Sequence, residues 1–185
     1  LSRKGLVVKK ILVTGGAGYI GTHTCVELLN KGEEIVVLDN FSNSNPSAID
    51  AVEKITGKSV KVYEGNMIDR EILEKIFTEN DIDAVIDFAA YKAVGESVQK
   101  PLDYYMNNIS GCLDVLDVMK KYNVKKFIFS SSATVYGDPE VIPITEDCKT
   151  GGTTNPYGTT KLFIEQILKD LYKSDNTWDI CILND

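Results

Sequence analysis

The 185-residue sequence has a single histidine, His23, and only four cysteines. Neither residue type occurs in the closely spaced pairs that metal sites use, so the sequence predicts no bound metal. Each cysteine is interpreted as a reduced, small apolar residue, which is typical of a cytoplasmic protein. The four are Cys25, Cys112, Cys148 and Cys181.

Positive charge is also scarce, since 20 Lys and Arg residues are outnumbered by 27 Asp and Glu residues. The net charge of −7 argues against nucleic acid or an anionic membrane as a partner. No apolar run approaches the roughly 20 residues of a membrane-spanning helix. Residues 1–8 also lack the apolar core of a signal peptide. An anionic ligand must therefore be held locally, by backbone N–H groups and a few lysines.

The most informative stretch is a glycine-rich turn between a predicted strand and a predicted helix. The apolar run from Ile11 to Val13 predicts a buried parallel strand, and helical spacing of apolar residues begins at Ile20. Gly15, Gly18 and Gly21 lie between these elements. In this motif the glycines allow a tight turn, a close approach of the backbone to a pyrophosphate, and packing of the helix on the strand. The helix N-terminus supplies unpaired N–H groups for phosphate.

A carboxylate ends the second predicted strand. Asp39 follows the apolar run from Ile35 to Leu38. A carboxylate at this point can accept hydrogen bonds from both ribose hydroxyls of an adenosine, and it would repel a 2′-phosphate. The sequence therefore predicts NAD as the cofactor in preference to NADP. The alternative is that Asp39 only opens the turn from Asn40 to Pro46.

Apolar runs alternate with helical patterns along the whole chain. This alternation predicts an α/β fold with a Rossmann-type, doubly wound parallel sheet of six strands in the order 3-2-1-4-5-6. Residues 1–185 are expected to form one NAD-binding domain, with its ligand at the carboxyl ends of the strands. An irregular loop is predicted from Tyr91 to Lys100, and one long helix from Pro101 to about Tyr122.

Tyr157 and Lys161 are four residues apart in a helical pattern, so their side chains share one helix face. A free tyrosine has a pKa of about 10, and a nearby ammonium and an oxidised nicotinamide both favour the phenolate. Tyr157 is therefore predicted to remove a hydroxyl proton while NAD takes hydride from the same carbon. Ser132, just past the fifth strand, can hydrogen-bond that hydroxyl. The alternative is an ordinary surface Tyr and Lys on an amphipathic helix.

These motifs resemble a known family, the extended short-chain dehydrogenases/reductases. The resemblance rests on the segment from Thr14 to Gly21, on the pair Tyr157 and Lys161, and on Ser132. Within that family, four further stretches closely resemble the UDP-glucose 4-epimerases. The stretches that resemble them are residues 92–98 (KAVGESV), 101–105 (PLDYY), 107–108 (NN) and 127–137 (FIFSSSATVYG).

The resemblance implies an isomerase of galactose metabolism that interconverts UDP-glucose and UDP-galactose. In that reaction NAD oxidises C4 to a 4-keto sugar, and hydride returns to the other face. The resemblance also implies a homodimer, held by a bundle of the helices that start at Pro101 and Tyr157. The alternative is that the apolar faces of both helices simply cover the sheet.

The resemblance further implies roles for individual residues. Ser132, Tyr157 and Lys161 are the implied catalytic residues, and Lys92, Ser132 and Tyr157 face the sugar. The residues implied to contact NAD are Gly15, Gly18, Tyr19, Ile20, Gly21, Asp39, Asn40, Asn43, Ser44, Asn66, Met67, Phe88, Ala89, Ala90, Lys92, Asn107, Tyr157 and Lys161. Asn107 as a mid-helix amide facing water and Lys92 as a solvated loop lysine remain alternatives.

The chain departs from the family at its end. The family continues after the sixth strand with Arg-Tyr-Phe-Asn and a substrate domain, where this chain reads Ile182-Leu-Asn-Asp185. The sequence is therefore expected to be truncated, or the substrate half lies on another chain. A noncatalytic NAD-binding fragment is one alternative function. Another NAD-dependent nucleotide-sugar epimerase or dehydratase is a second. A dehydratase would need an Asp-Glu pair right after Ser132, where this chain has Ala133 and Thr134. The chain therefore lacks the acid and the base for elimination of water.

Overall fold

The computed structural model describes residues 9–139 and 141–184. It contains one parallel sheet with the strand order β3-β2-β1-β4-β5-β6, which confirms the predicted fold class and order. The strands are β1 (Lys10–Thr14), β2 (Glu34–Asp39), β3 (Lys61–Glu64), β4 (Ala84–Asp87), β5 (Lys126–Ser130) and β6 (Asp179–Leu183). The prediction that residues 1–8 are no signal peptide lies outside the described residues.

Helices connect successive strands and cover both faces of the sheet. They are α1 (Tyr19–Asn30), α2 (Ser47–Thr56), α3 (Arg70–Glu79), α4 (Val94–Gln99), α5 (Pro101–Tyr104), α6 (Gly111–Lys121) and α7 (Pro156–Ser174). A π-helical segment (Tyr105–Ser110) joins α5 to α6, and a 3₁₀ turn (Ala133–Tyr136) follows β5. In the described part of the chain, no helix is both long and apolar enough to cross a membrane.

The core consists of two apolar clusters, one on each face of the sheet. Strands such as β1 are buried on both faces, which is why they read as continuous apolar runs. One cluster joins the sheet to α3, α6 and α7, through residues such as Leu73, Val115 and Ile164. The other joins it to α1 and α2, through residues such as Leu29 and Val52. The sheet thereby becomes a rigid base whose carboxyl edge carries the loops.

The prediction of an irregular loop from Tyr91 to Lys100 is wrong, because residues 94–99 form the helix α4. Two contacts hold this helix against α5. The Tyr104 hydroxyl lies within hydrogen-bonding distance of the Ala93 carbonyl oxygen, at 2.9 Å, and of Glu96 Oε2, at 3.0 Å. A helix of six residues is too short to show a helical period in the sequence.

The helix predicted from Pro101 to about Tyr122 is present, but it is not a regular α-helix throughout. Its middle, Tyr105–Ser110, has π-helical hydrogen bonding. Asn107 and Asn108 both lie in this segment and both are buried. Such wide turns often mark functional sites, because they turn extra side chains inward.

Candidate functional site

A cavity of about 930 Å³ lies at the carboxyl ends of β1, β2 and β4. This is the switch point of the sheet, where strand order reverses and α/β proteins bind their ligands. Most of the predicted NAD contacts line it, namely Gly15, Gly18, Tyr19, Asp39, Asn40, Asn43, Ser44, Asn66, Met67, Phe88, Ala89, Ala90, Lys92 and Asn107. Five predicted site residues do not line it, namely Ile20, Gly21, Ser132, Tyr157 and Lys161.

The backbone around the glycine turn is packed so closely that two of its three glycines have no space for a side chain. Gly15 has a φ of +67°, and a Cβ there would lie 2.8 Å from the backbone nitrogen of Ala89. A Cβ on Gly21 would collide with the carbonyl oxygen of Gly15. Gly18 differs, because its Cβ would approach only that same oxygen, at 3.3 Å. Two glycines therefore serve the packing of the turn, and Gly18 leaves room on the cavity side, as a dinucleotide requires.

Helix α1 begins at this turn, and no side chain caps its start. The first N–H groups of an α-helix have no partner within the helix, so they are available to a phosphate in the cavity. Tyr19 lies at the mouth of the cavity with 78% of its surface exposed, and its ring lies 4.8 Å from that of His23. Ile20 is exposed as well, outside the cavity lining.

Asp39 lies at the end of β2, where it connects two loops. Its Oδ2 accepts a hydrogen bond from the Ala17 backbone N–H at 2.9 Å. Its Oδ1 accepts from the Phe41 N–H and from the Ser44 hydroxyl, each at 2.9 Å. A carboxylate has about four acceptor positions, so three are already used. Asp39 thus opens the following turn and also lines the cavity.

The neighbouring rim is formed by the turn after β3. Asn66 Oδ1 accepts a hydrogen bond from the Ile68 N–H at 3.2 Å, which fixes this turn. Met67 is buried beneath the rim and contacts the core. The Gly65 N–H donates to the Asp39 carbonyl oxygen at 3.1 Å, so the rims formed by β2 and β3 are held together.

Asp87, which the sequence analysis missed, supports the wall formed after β4. It is buried and accepts hydrogen bonds from the Thr14 hydroxyl at 2.6 Å and from the Ala89 N–H at 3.1 Å. Burial raises the pKa of its carboxyl, while the Thr14 hydroxyl and the charge of Lys161 act in the opposite direction. A charged residue in the apolar run from Ala84 to Phe88 was the available signal.

A second missed residue, Asn108, holds the next part of the wall. Its Oδ1 accepts from the Tyr91 N–H at 2.8 Å, and its Nδ2 donates to the Tyr91 carbonyl oxygen at 3.0 Å. The same nitrogen donates to Thr160 Oγ1 at 3.1 Å, which connects the wall to α7. Asn107 is buried and lines the cavity, so its alternative as an amide facing water is wrong.

The predicted catalytic residues lie just past the end of β5 and in the first two turns of α7. Asn155 caps α7 by accepting from the Gly158 N–H at 2.8 Å, so Tyr157 lies in the first turn. Lys161 is buried, donates to the Ser130 carbonyl oxygen at 2.6 Å, and lies 4.6 Å from the Phe129 ring.

Ser132 lies at the start of the 3₁₀ turn after β5. Its Oγ accepts from the Thr134 N–H at 3.3 Å and lies 3.1 Å from Thr134 Oγ1. A Cβ on Gly158 would lie 3.1 Å from Thr134 Cβ, so α7 packs closely on this turn. Among the described residues, no cluster of His, Cys, Asp and Glu could hold a metal ion.

Comparison with known proteins accounts for this arrangement. The NAD dependent epimerase/dehydratase family matches residues 11–184. The chain belongs to this family. Two relatives of this family member are the UDP-glucose 4-epimerases of Haemophilus influenzae and Bacillus subtilis, which are 62% and 61% identical to it over 173 residues. Each alignment covers 94% of this chain and 51% of the relative.

Solved structures of UDP-glucose 4-epimerases are also similar to this chain. UDP-glucose 4-epimerase from Bifidobacterium longum, crystallised with NAD+ and UDP, matches with a TM-score of 0.94 and 59% identity. That match covers 95% of this chain and 52% of the other. The chain therefore spans about half the length of the relatives it matches, and the predicted resemblance to UDP-glucose 4-epimerases is confirmed.

Proposed function

We propose that this chain supplies the NAD-binding half of an isomerase that interconverts UDP-glucose and UDP-galactose. The observation that carries the proposal is the glycine turn, whose Ala17 N–H donates to Asp39 at the switch point of the sheet. The chain that contains this turn is 62% identical to a UDP-glucose 4-epimerase. When bound, NAD supplies the hydride acceptor and donor for the sugar carbon. The decisive experiment is conversion of UDP-galactose to UDP-glucose by a form of the protein that includes its substrate half, which Tyr157→Phe should largely abolish.

The proposed binding mode follows the rim of the cavity. The pyrophosphate lies at the start of α1, with Tyr19 and Ile20 covering it. Asp39 accepts hydrogen bonds from the adenosine ribose, beside the three hydrogen bonds that it already accepts from Ala17, Phe41 and Ser44. Asn66 and Met67 border the adenine. The remaining proposed contacts are Asn40, Asn43, Ser44, Phe88, Ala89, Ala90, Lys92 and Asn107.

The proposed catalytic residues act where α7 meets the end of β5. Tyr157 removes the proton of the sugar hydroxyl, and Ser132 hydrogen-bonds that hydroxyl. Lys161 holds the nicotinamide ribose and, with its positive charge, favours the phenolate of Tyr157. Lys92 faces the sugar from the wall after β4.

The proposal extends to the organisation of the chain. We infer that residues 1–185 form one NAD-binding domain in a cytoplasmic protein, with neither nucleic acid nor membrane as a partner. All four cysteines are free thiols, as expected in a reducing compartment. The net charge of −7 opposes binding to polyanions.

Cofactor preference tests the role of Asp39. We expect purified chain to bind NAD at least about tenfold more tightly than NADP, because the carboxylate repels a 2′-phosphate. Asp39→Asn should weaken NAD binding and reduce the preference, since it removes the charge and places an amide near the Ala17 N–H. Calorimetric titration with each cofactor measures both effects.

The matched control for this titration is Asp83→Asn. Asp83 Oδ2 accepts from the Lys10 N–H at 2.9 Å, at the opposite end of β1 from the cavity. This substitution should leave both affinities unchanged. Equal affinity of the unsubstituted chain for the two cofactors, or tighter binding of NADP, would contradict the assignment of Asp39.

We also propose that the protein is a homodimer. Leu102, Met106 and Phe163 are 76%, 65% and 48% exposed, although their helices already cover the sheet with other residues. The Tyr105 ring lies 6.3 Å from that of Phe163, so the helical stretch beginning at Pro101 and α7 present a common apolar face. An isologous dimer would bury this face.

Light scattering at micromolar concentration tests the dimer. We expect the mass of two chains, and Met106→Glu should shift the mass to that of one chain by placing charge in the apolar face. The control is Ile55→Glu, since Ile55 is 68% exposed on α2, away from this face. A monomer in the unsubstituted chain would refute the dimer for this chain.

A further inference from the structure

Helix α7 carries a buried carboxylate that the proposed chemistry does not use. Glu165 lies one turn beyond Lys161, and only 3% of its surface is exposed. Its Oε1 accepts a hydrogen bond from the Ser131 hydroxyl at 2.6 Å. Asn184 Nδ2 lies 3.4 Å from the same oxygen, and Lys169 Nζ lies 3.5 Å from Oε2. Burying a carboxylate is costly unless it accepts hydrogen bonds. The short hydrogen bond from Ser131 therefore stabilises Glu165 in its buried position.

Ser131 is the middle residue of the serine triplet at the end of β5. The residue before it, Ser130, accepts from Lys161 Nζ through its carbonyl oxygen at 2.6 Å. The residue after it, Ser132, is the one proposed to bond the sugar hydroxyl. The end of β5 is therefore attached to α7 at two points, Lys161 and Glu165, which are one helical turn apart.

Two points of attachment constrain the helix more than one does. Helix α7 is also held by the hydrogen bond from Asn108 Nδ2 to Thr160 Oγ1 and by the core residues Ile164 and Leu168. Within that packing, the contact of Lys161 with Ser130 and the contact of Glu165 with Ser131 together fix the end of β5 on the helix. Asp87 on β4 is a further carboxylate whose charge acts on Lys161, and it accepts hydrogen bonds from Thr14 and Ala89.

We propose that Glu165 is a positioning residue that, through Ser131, fixes the end of β5 against α7. It thereby sets the placement of Lys161 and Ser132 relative to Tyr157. The inference rests on the proposed role of Tyr157 and deepens it, because it names the contact that fixes Ser132 and Lys161, the two residues proposed to act with Tyr157. Glu165 itself touches neither substrate nor cofactor.

The test measures the ionisation of the Tyr157 phenol in the NAD-saturated chain. Ultraviolet difference titration reports phenolate, and Tyr157→Phe serves as the blank. Ser131→Ala and Glu165→Leu should raise the pKa of Tyr157 by about one unit, because the ammonium loses its fixed place near the phenol. Glu165→Gln keeps an acceptor oxygen for Ser131, so the rise should be largely absent.

The sign of the shift separates position from charge. Removing a negative charge near Tyr157 favours the phenolate and lowers its pKa, so a rise in Glu165→Leu cannot be a charge effect. The matched control is Glu79→Gln, because Glu79 accepts the Tyr63 hydroxyl at 2.5 Å in the same strand-to-helix arrangement at the far edge of the sheet. It should leave the pKa of Tyr157 unchanged.

Thermal unfolding of every variant completes the comparison. If Ser131→Ala and Glu165→Leu lower the unfolding temperature but leave the pKa of Tyr157 at the parental value, the role of Glu165 is structural and the inference fails. The pKa of Tyr157 in the unsubstituted chain tests the proposed function separately. An ordinary value of about 10 removes the base role from Tyr157, whatever the variants show.

Discussion

Replacing Gly18 with valine is expected to abolish measurable NAD binding while the chain remains folded. A Cβ at Gly18 approaches only the Gly15 carbonyl oxygen, at 3.3 Å, and the φ of −72° suits any residue. The branched side chain would instead fill the side of the turn that lines the cavity, and so keep a pyrophosphate away from the N–H groups of α1. Calorimetric titration with NAD and thermal unfolding together measure the effect.

Two other glycine substitutions define what this result means. Gly95→Val is the control, because a Cβ at Gly95 meets no atom within 4 Å and the residue does not line the cavity. Gly21→Val should destabilise the chain itself, since its Cβ would collide with backbone atoms of Gly15 and Gly16. Parental affinity in Gly18→Val would show that the cofactor does not approach the glycine turn.

Substituting Tyr157 with phenylalanine should cost most of the turnover in a form of the protein that includes its substrate half. The phenol acts only as the hydroxyl proton leaves, and general base catalysis is typically worth about 10²–10⁴-fold. NAD and UDP-galactose should still bind, because the ring remains. A coupled assay for UDP-glucose measures turnover, and calorimetry measures binding.

Tyr172→Phe is the matched control on the same helix. Tyr172 is 51% exposed near the end of α7, so its loss should leave the rate unchanged. Full activity in Tyr157→Phe would remove Tyr157 from its role as base. The same assay on the 185-residue chain separates an enzyme from a noncatalytic NAD-binding fragment. We expect little or no turnover, because uridine binding energy is expected to place the sugar against the nicotinamide.

The centre of the sheet could be predicted from the sequence because β1, β2 and β4 are buried along most of their length. A strand that is buried on both faces needs a continuous apolar run. A helix between two successive strands predicts that the strands are parallel. The cavity could be placed for a related reason, since the glycines and Asp39 mark the carboxyl ends of β1 and β2. The apolar pattern of these central strands was therefore sufficient, without knowledge of their neighbours.

The residues that the sequence analysis missed act through partners far away in the chain. Asn108 is hydrogen-bonded to Tyr91, and Glu165 is hydrogen-bonded to Ser131. The local sequence around Asn108 or Glu165 does not indicate which residue is the partner. The helix α4 and the π-helical segment were missed because each spans only six residues. Elements of that length depend on tertiary contacts rather than on periodicity.

The three internal hydrogen bonds of Asp39 affect how the cofactor meets the protein. They join the glycine turn to the loop after β2 through groups of the protein itself. The entropy lost in ordering these loops is therefore part of the cost of folding, and little of it remains to be lost on association. We expect NAD to dock into a preorganised rim, with backbone positions that change little between the free and the bound protein.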